Sequence, residues 1–253
     1  MLKYNDWFIK FRQEYDPSIR LFCFHYGGGS ASIFREWSKD LADYAELIAI
    51  QLPGRENRFN EPLLYNVSQV VDKLCLNCSA YTDKPFILFG HSIGALIAFE
   101  FVRTLRRRNM PQPKHLIISG TKAPHIPLRK QPIHNLPDPK FIEELKKYNG
   151  IPNQIIEDKE LISIFLPTIR ADFSLSETYV YLRERPFSFP ITALGGLKDD
   201  TFNCEDLLKW KEQTTCSFKH YLLPGDHFFI KSSYKQVIEI VNQILFEEVM
   251  QFS

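Results

Sequence analysis

The sequence predicts an α/β protein built on a largely parallel sheet. A chain of 253 residues is long enough to bury a sizeable core in one large domain. Short apolar runs typical of buried strands alternate along it with amphipathic helical stretches. Such alternation indicates parallel strands joined by right-handed crossovers. We therefore expect a single α/β domain over residues 1–253, with helices flanking a mostly parallel sheet.

Six apolar runs predict the strands of this sheet. They cover residues 20–24, 47–50, 85–89, 116–120, 191–194 and 218–223. Apolar side chains at helical spacing predict the helices that connect or close it. These cover about 31–44, 68–81, a stretch starting near 95, and 233–249.

The stretch on which the functional interpretation depends is Gly90-His91-Ser92-Ile93-Gly94. It is a G-x-S-x-G pattern between a predicted strand and a predicted helix, which is the context of a nucleophile elbow. Glycine on both sides indicates a turn too tight for side chains two residues from Ser92. The alternative is a glycine-rich turn with a capping serine, so the interpretation requires catalytic partners for Ser92.

Candidate partners lie in turns that follow two later strands. Asp199 and Asp200 come after the strand at 191–194, and His227 comes after the last strand. These turns are at the sheet edge where α/β proteins bind ligands, and the order Ser, Asp, His is that of the α/β-hydrolase fold. His227 would take the Ser92 proton while a carboxylate orients the imidazole. Chemistry alone does not choose between Asp199 and Asp200.

A glycine-rich loop, Gly27-Gly28-Gly29, follows the first predicted strand. It matches neither the dinucleotide nor the P-loop pattern, so nucleotide binding is not indicated. We expect the Gly27 N–H to form an oxyanion hole together with the Ile93 N–H. The alternative is a loop that merely lets the next helix pack closely. Two arginines and a glutamate within residues 55–58 could bind an acidic ligand, but solvated charge is the commoner explanation and is our interpretation.

A segment without strand-like runs, residues 125–186, interrupts the alternation. Prolines divide it into helical stretches at 140–148, 159–166 and 169–182. Such a long insertion after a sheet strand, with helices of its own, is typical of a helical lid. Its apolar side chains either line an acyl pocket or pack the lid against the domain. They are Phe141, Leu145, Leu161, Phe165, Phe173, Tyr179 and Tyr181.

Composition excludes several other classes of function. The net charge of +1 provides no field for nucleic acid or a membrane surface. The N-terminal residues lack a signal-peptide core, and no apolar run approaches membrane-spanning length. The five cysteines form no disulfide framework, and Cys75 and Cys78 are interpreted as buried apolar residues. We expect a cytoplasmic protein that binds no metal.

The sequence resembles the type II editing thioesterases of nonribosomal peptide and polyketide synthases, members of the α/β-hydrolase superfamily related to the medium-chain thioesterase of fatty-acid synthase. The similarity extends from Leu21 to about Ile230. The motifs that carry it are the glycine loop, residues 53–58, the Ser92 elbow, Ser119-Gly120, residues 170–173, Tyr179, Gly195-Gly196, Trp210 and residues 225–229.

Four positions differ from the family pattern. The family's catalytic acid usually precedes a proline in G-G-x-x-D-P; here Asp199 occupies the acid position and Asp200 replaces the proline. The resemblance therefore favours Asp199. In the glycine loop, His25 and Gly27 stand where the family commonly has proline and alanine. After the nucleophile, Ile93 stands where the family usually has methionine.

The resemblance implies hydrolysis of acyl thioesters carried on the phosphopantetheine arm of acyl or peptidyl carrier proteins, which clears stalled or misprimed chains. Ser92, Asp199 and His227 would be catalytic, and no cofactor would be bound. The protein would act as a monomer that meets carrier domains transiently. The alternatives are a medium-chain fatty-acyl thioesterase, a carboxylesterase or lipase on the same fold, and a non-catalytic binding protein.

Overall fold

A computed structural model describes residues 5–12, 14, 16–129, 131–148, 150 and 153–251. The described residues include seven strands in one sheet, with the spatial order β1-β3-β2-β4-β5-β6-β7. These strands are β1 (Phe8–Ile9), β2 (Ile19–Phe24), β3 (Ala45–Ile50), β4 (Phe86–His91), β5 (His115–Ser119), β6 (Ile191–Gly196) and β7 (Phe218–Leu223).

The sheet is parallel except at one edge. The short β1 pairs antiparallel with β3, and every other neighbouring pair is parallel. In β2 to β6 every residue is buried, as expected where helices cover both faces of a parallel sheet. The predicted mostly parallel α/β architecture is confirmed. The edge strand β1 was not predicted, because two residues are too few to show a period.

Helices flank the sheet and follow its strands. They are α1 (Trp37–Asp40), α2 (Val67–Asn77), α3 (Ile93–Arg107), α4 (Asp138–Lys146), α5 (Asn153–Glu157), α6 (Lys159–Glu177), α7 (Cys204–Leu208), α8 (Phe229–Ser232) and α9 (Tyr234–Met250). One hydrophobic cluster packs α2 and α3 on one sheet face, and a second packs α1 and α9 on the other. A third, smaller cluster joins α4 to α6.

The predicted helix over residues 31–44 is wrong in length. The structure has a 3-10 turn at Ala31–Phe34 and the single turn of α1, and Leu41 is already extended, with ψ of 145°. The chain must reach β3 at Ala45, which leaves no room for a longer helix. Phe34 and Trp37 are nevertheless buried, so the periodicity correctly indicated burial.

The predicted break at Pro167 is also wrong. Helix α6 continues through it from Lys159 to Glu177, where the sequence indicated two helices. A proline removes one helical N–H donor and leaves the carbonyl four residues earlier without its partner. Pro167 and Ser163 are both exposed, so solvent can satisfy that carbonyl. The insertion at 125–186 contains α4, α5 and α6; residues 130, 149, 151 and 152 of it lie outside the described part.

Candidate active site

Ser92 lies at the turn between β4 and α3, in a backbone conformation that is rare for a non-glycine residue. Its φ of 56° and ψ of −121° direct the side chain away from the strand and the helix. The Ser92 N–H donates to the Ser119 carbonyl at 2.8 Å, which fixes the turn against the end of β5. The strained turn is thus held by the neighbouring strand.

The two glycines of the elbow are required for different reasons. A Cβ on Gly90 would lie 2.4 Å from the Gly94 carbonyl oxygen, within the elbow itself. A Cβ on Gly94 would lie 2.3 Å from the carbonyl oxygen of Phe24, at the end of β2. Gly90 therefore permits the tight turn, whereas Gly94 lets α3 begin against the neighbouring strand.

The structure brings Ser92, His227 and Asp199 into one hydrogen-bonded chain. The distance from His227 Nε2 to Ser92 Oγ is 3.0 Å, and that from His227 Nδ1 to Asp199 Oδ2 is 2.8 Å. With Nδ1 donating to the carboxylate, Nε2 is left to accept the hydroxyl proton of Ser92. This arrangement has the geometry that a general base and its nucleophile need.

The two adjacent aspartates differ in environment. The Asp199 side chain is fully buried, and its Oδ1 accepts the Thr201 hydroxyl at 2.6 Å and the Thr201 N–H at 3.0 Å. Burial alone would raise the pKa of Asp199, but the hydrogen bonds from His227 and Thr201 outweigh it and hold the pKa below its usual value. Asp199 thus stays ionised, whereas Asp200 is exposed at the cavity rim. The sequence analysis did not single out Thr201.

A second histidine supports the first through its backbone. His91 is fully buried, and its Nε2–H donates to the carbonyl of His227 at 2.9 Å while Nδ1 accepts the Ser119 hydroxyl at 2.8 Å. Burial, reinforced by the charge of nearby His227, lowers the pKa of His91 to about 3. His91 is therefore neutral at physiological pH and acts as a fixed hydrogen-bonding group. The sequence showed His91 only as a member of the elbow and gave no signal for these contacts.

The two predicted oxyanion donors lie on adjoining segments. A Cβ on Gly27 would be 3.8 Å from Ile93 Cγ2, so the glycine loop and the start of α3 are in contact distance. Within the described ranges, neither the Gly27 N–H nor the Ile93 N–H donates to an acceptor. The Ile93 N–H belongs to the first turn of α3, where helix geometry leaves donors unpaired and favours negative charge.

A cavity of about 940 Å³ opens beside Ser92 and His227. It lies near the upper end of the volumes typical of small-molecule sites. Of the seven apolar side chains named above for the insertion, five line the cavity: Leu145, Phe165, Phe173, Tyr179 and Tyr181. Phe141 is buried in the cluster between α4 and α6, and Leu161 is 41% exposed. Leu145 and Phe173 line the cavity and also pack in that cluster, so the two alternatives are not exclusive.

The arginines of residues 55–58 are not solvated, so that interpretation was wrong. Arg55 and Arg58 are 7% and 4% exposed. Arg55 forms a two-bond ion pair with Asp172 of α6, with both N–O distances 2.9 Å. Arg58 pairs with Glu61 at 2.6 Å and donates to the Gln51 carbonyl at 2.7 Å. Asp172 is 117 residues from Arg55, so no local pattern indicates this pair.

Comparison with known proteins identifies the class of this site. The family model "Thioesterase domain" matches residues 19–245. The chain belongs to the thioesterase family, has the α/β-hydrolase fold, and is a hydrolase of thioester bonds. No group of three or more His, Cys, Asp or Glu side chains in the described part is arranged to hold a metal ion.

Several relatives are named for the biosynthesis of peptide and polyketide products. The chain is 44% identical to the gramicidin S biosynthesis protein GrsT of Aneurinibacillus migulanus, over 94% of this chain and 93% of that protein. It superposes on the crystal structure of ClbQ from the colibactin NRPS/PKS pathway with a TM-score of 0.87 and 33% identity, covering 92% and 99% of the two chains. The structure of YbtT, a type II thioesterase from the yersiniabactin NRPS/PKS pathway, superposes with a TM-score of 0.83 and 33% identity, covering 97% of this chain and 99% of that chain. The resemblance inferred from the sequence is confirmed.

Proposed function

We propose that this protein hydrolyses acyl groups from the phosphopantetheine arm of carrier proteins, and so clears stalled or misprimed chains from a nonribosomal peptide or polyketide synthase. The observation that carries the proposal is the hydrogen-bonded chain of Ser92, His227 and Asp199 at the mouth of a 940 Å³ cavity. Its relatives named for such pathways support the choice of substrate.

In the first half of the reaction, Ser92 Oγ attacks the thioester carbonyl as His227 Nε2 accepts the hydroxyl proton. Asp199, ionised and bonded to Nδ1, stabilises the imidazolium that forms. The N–H groups of Gly27 and Ile93 would donate to the oxyanion of the tetrahedral intermediate. Its collapse expels the pantetheine thiolate, which leaves readily because a thiol has a pKa of about 8.5, and His227 returns the proton.

In the second half, a water molecule attacks the acyl-Ser92 ester. His227 accepts a proton from that water, the same two N–H groups hold the second oxyanion, and Ser92 Oγ leaves with the proton from His227. The products are the free acid and the regenerated serine. No step requires a cofactor of the enzyme, because the phosphopantetheine belongs to the carrier protein.

The insertion over residues 125–186 would act as a lid on the cavity. Its side chains supply much of the apolar lining beside Ser92, which suits an acyl chain better than a charged substrate.

No helix in the described part of the chain is long and apolar enough to cross a membrane. All five cysteines are free, which fits a reducing cytoplasm. We infer a cytoplasmic monomer that binds carrier domains transiently.

The proposal is tested by comparing kcat/KM for three substrates with the same hexanoyl group: a loaded carrier protein, hexanoyl-pantetheine, and an oxygen ester. We expect the loaded carrier protein to be preferred over both, and Ser92→Ala to abolish all three activities. A higher kcat/KM for the oxygen ester would instead support a carboxylesterase. A second comparison loads the same carrier protein with a hexanoyl or an aminoacyl group, and a preference for the hexanoyl group would favour the fatty-acyl thioesterase.

A further inference from the structure

A carboxylate of helix α6 reaches the glycine loop that carries a proposed oxyanion donor. Asp172 is 2% exposed, and its Oδ2 accepts the Gly28 N–H at 2.7 Å. The same carboxylate receives both terminal nitrogens of Arg55, each at 2.9 Å. Asp172 thus joins α6, the glycine loop and the loop after β3 at one buried point.

Arg55 holds the same loop from a second side. Its Nη1 donates to the Gly29 carbonyl at 2.9 Å, in addition to the bonds with Asp172. The N–H of Gly28 and the carbonyl of Gly29 are therefore both bound by buried charged side chains from outside the loop. Hydrogen bonds to ionised groups are roughly twice as strong as neutral ones.

Other contacts that fix the loop lie at Tyr26, whose carbonyl is 2.8 Å from His25 Nδ1. Three consecutive glycines have the greatest backbone freedom of any tripeptide, and Gly28 has a φ of +73°. Inside the loop, the Gly29 N–H donates to the Tyr26 carbonyl at 3.0 Å. An oxyanion donor lowers the barrier only when it is already in place, because reorientation during the reaction would cost the same energy it supplies.

We propose that Asp172 and Arg55 are positioning residues that hold the Gly27 N–H in place for the oxyanion. The inference rests on the proposed function of Gly27 and extends it to residues that do not touch the reacting atoms. Gly27 lies against this pair, since a Cβ on it would be 3.6 Å from the Cβ of Asp172. Removing the pair would free the peptide units on the C-terminal side of Gly27.

The simpler alternative is that the pair only anchors α6 to the rest of the protein. A matched control exists one turn earlier on the same helix. Thr168 is 8% exposed, and its hydroxyl donates to the Gly54 carbonyl at 2.9 Å. Thr168→Val removes this anchor with little change in shape and without touching the glycine loop.

The test compares wild type with Asp172→Asn, Arg55→Lys and Thr168→Val. For each protein we measure kcat and KM on a p-nitrophenyl ester, the inhibition constant of a trifluoromethyl ketone, and the unfolding midpoint. The ketone adds to Ser92 Oγ and places an oxyanion in the hole, so its affinity reports the donors directly. In Asp172→Asn one carboxylate oxygen becomes an NH2 group that cannot accept from Arg55, and the negative charge that strengthens the bond from the Gly28 N–H is lost. We expect kcat to fall at least about tenfold and ketone affinity to fall by the same factor, with KM within about threefold.

Arg55→Lys keeps the positive charge but loses the planar fork, so we expect a smaller loss in the same two quantities; it carries the test if Asp172→Asn does not fold. Thr168→Val should lower the unfolding midpoint and leave kcat and ketone affinity within about twofold. Effects of Asp172→Asn and Arg55→Lys no larger than those of Thr168→Val would overturn the inference. A wild type that cleaves the ester but no carrier thioester would refute only the proposed function, and one that cleaves neither and binds no ketone would refute both.

Discussion

Ser92 illustrates how single residues determine this site. Its positive φ is maintained because Gly90 and Gly94 lack side chains at the two points where the backbone comes closest to other backbone atoms. The nearest atoms at both points are backbone carbonyls or a helix Cα, which cannot move aside as a side chain can. The strain at Ser92 therefore depends on both glycines.

Gly94→Ala and Gly27→Ala should have opposite effects. At Gly94 a methyl group would lie 2.3 Å from the Phe24 oxygen, so we expect a loss of about 3 kcal/mol or more of unfolding free energy, together with activity. At Gly27 the nearest atoms are 3.6 and 3.8 Å away and φ lies outside the left-handed region. Gly27→Ala keeps the N–H and should raise stability by about 0.4–1 kcal/mol. Urea unfolding measures the stability of the two variants, and ester hydrolysis measures their activity. If Gly27→Ala were less stable than Gly94→Ala, this explanation of the two glycines would be contradicted.

At the level of single residues, the sequence was sufficient to nominate Ser92 and His227 but not to separate Asp199 from Asp200. The two aspartates lie in the same turn and carry the same carboxylate group. The path of the backbone after β6 alone decides which of them bonds to His227. The Asp199 side chain turns inward to His227 and Thr201, whereas Asp200 is exposed. That path follows from contacts across the sheet edge, which no local pattern records.

At the scale of elements, strands were predicted better than helices. Each predicted strand was found, with ends shifted by at most two residues. Strands β2 to β6 are buried on both faces and therefore give apolar runs, whereas the edge strand β7 is largely exposed. The helix at 31–44 was too long because its apolar residues pack from a 3-10 turn and one helical turn. The predicted break at Pro167 was wrong. Pro167 lies on the exposed face of α6, and the packing of the opposite face outweighs the low helix propensity of proline.

The contact of α6 with the rest of the molecule could not be predicted at all. Arg55 and Asp172 are 117 residues apart, and each occurs in a short charged motif that resembles many solvated ones. Their pairing appears only when the insertion folds back over the end of β3. A buried ion pair of this kind costs stability if either partner is removed, because the other charge remains desolvated.

For the whole molecule, two buried histidines predict how stability depends on pH. Burial, with the charge of Arg55, lowers the pKa of His25 to about 4, and burial lowers that of His91 to about 3. Both stay neutral in the folded state, whereas an unfolded histidine has a pKa of about 6.5. Below pH 6.5 the unfolded state therefore binds more protons, and the free energy of unfolding falls as pH falls.

Each of these histidines should contribute about 1.4 kcal/mol per pH unit between roughly pH 4.5 and pH 6. Urea unfolding across this range should show stability rising with pH. His25→Gln removes one titrating group and should reduce the slope by the share of one histidine. An unchanged slope in His25→Gln would show that His25 is protonated or exposed in the folded protein.

The central claim is that Ser92, His227 and Asp199 release acyl groups from carrier thioesters. The most direct test follows a hexanoyl-loaded carrier protein by intact-protein mass spectrometry with wild type, Ser92→Ala, Asp199→Asn and Asp200→Asn. We predict rapid loss of the acyl group with wild type and none with Ser92→Ala. Asp199→Asn should be slower by a factor of about 10³–10⁴, and Asp200→Asn should be within about twofold of wild type. Near-normal hydrolysis by Asp199→Asn, or an intact acyl carrier after incubation with folded wild type, would contradict the account.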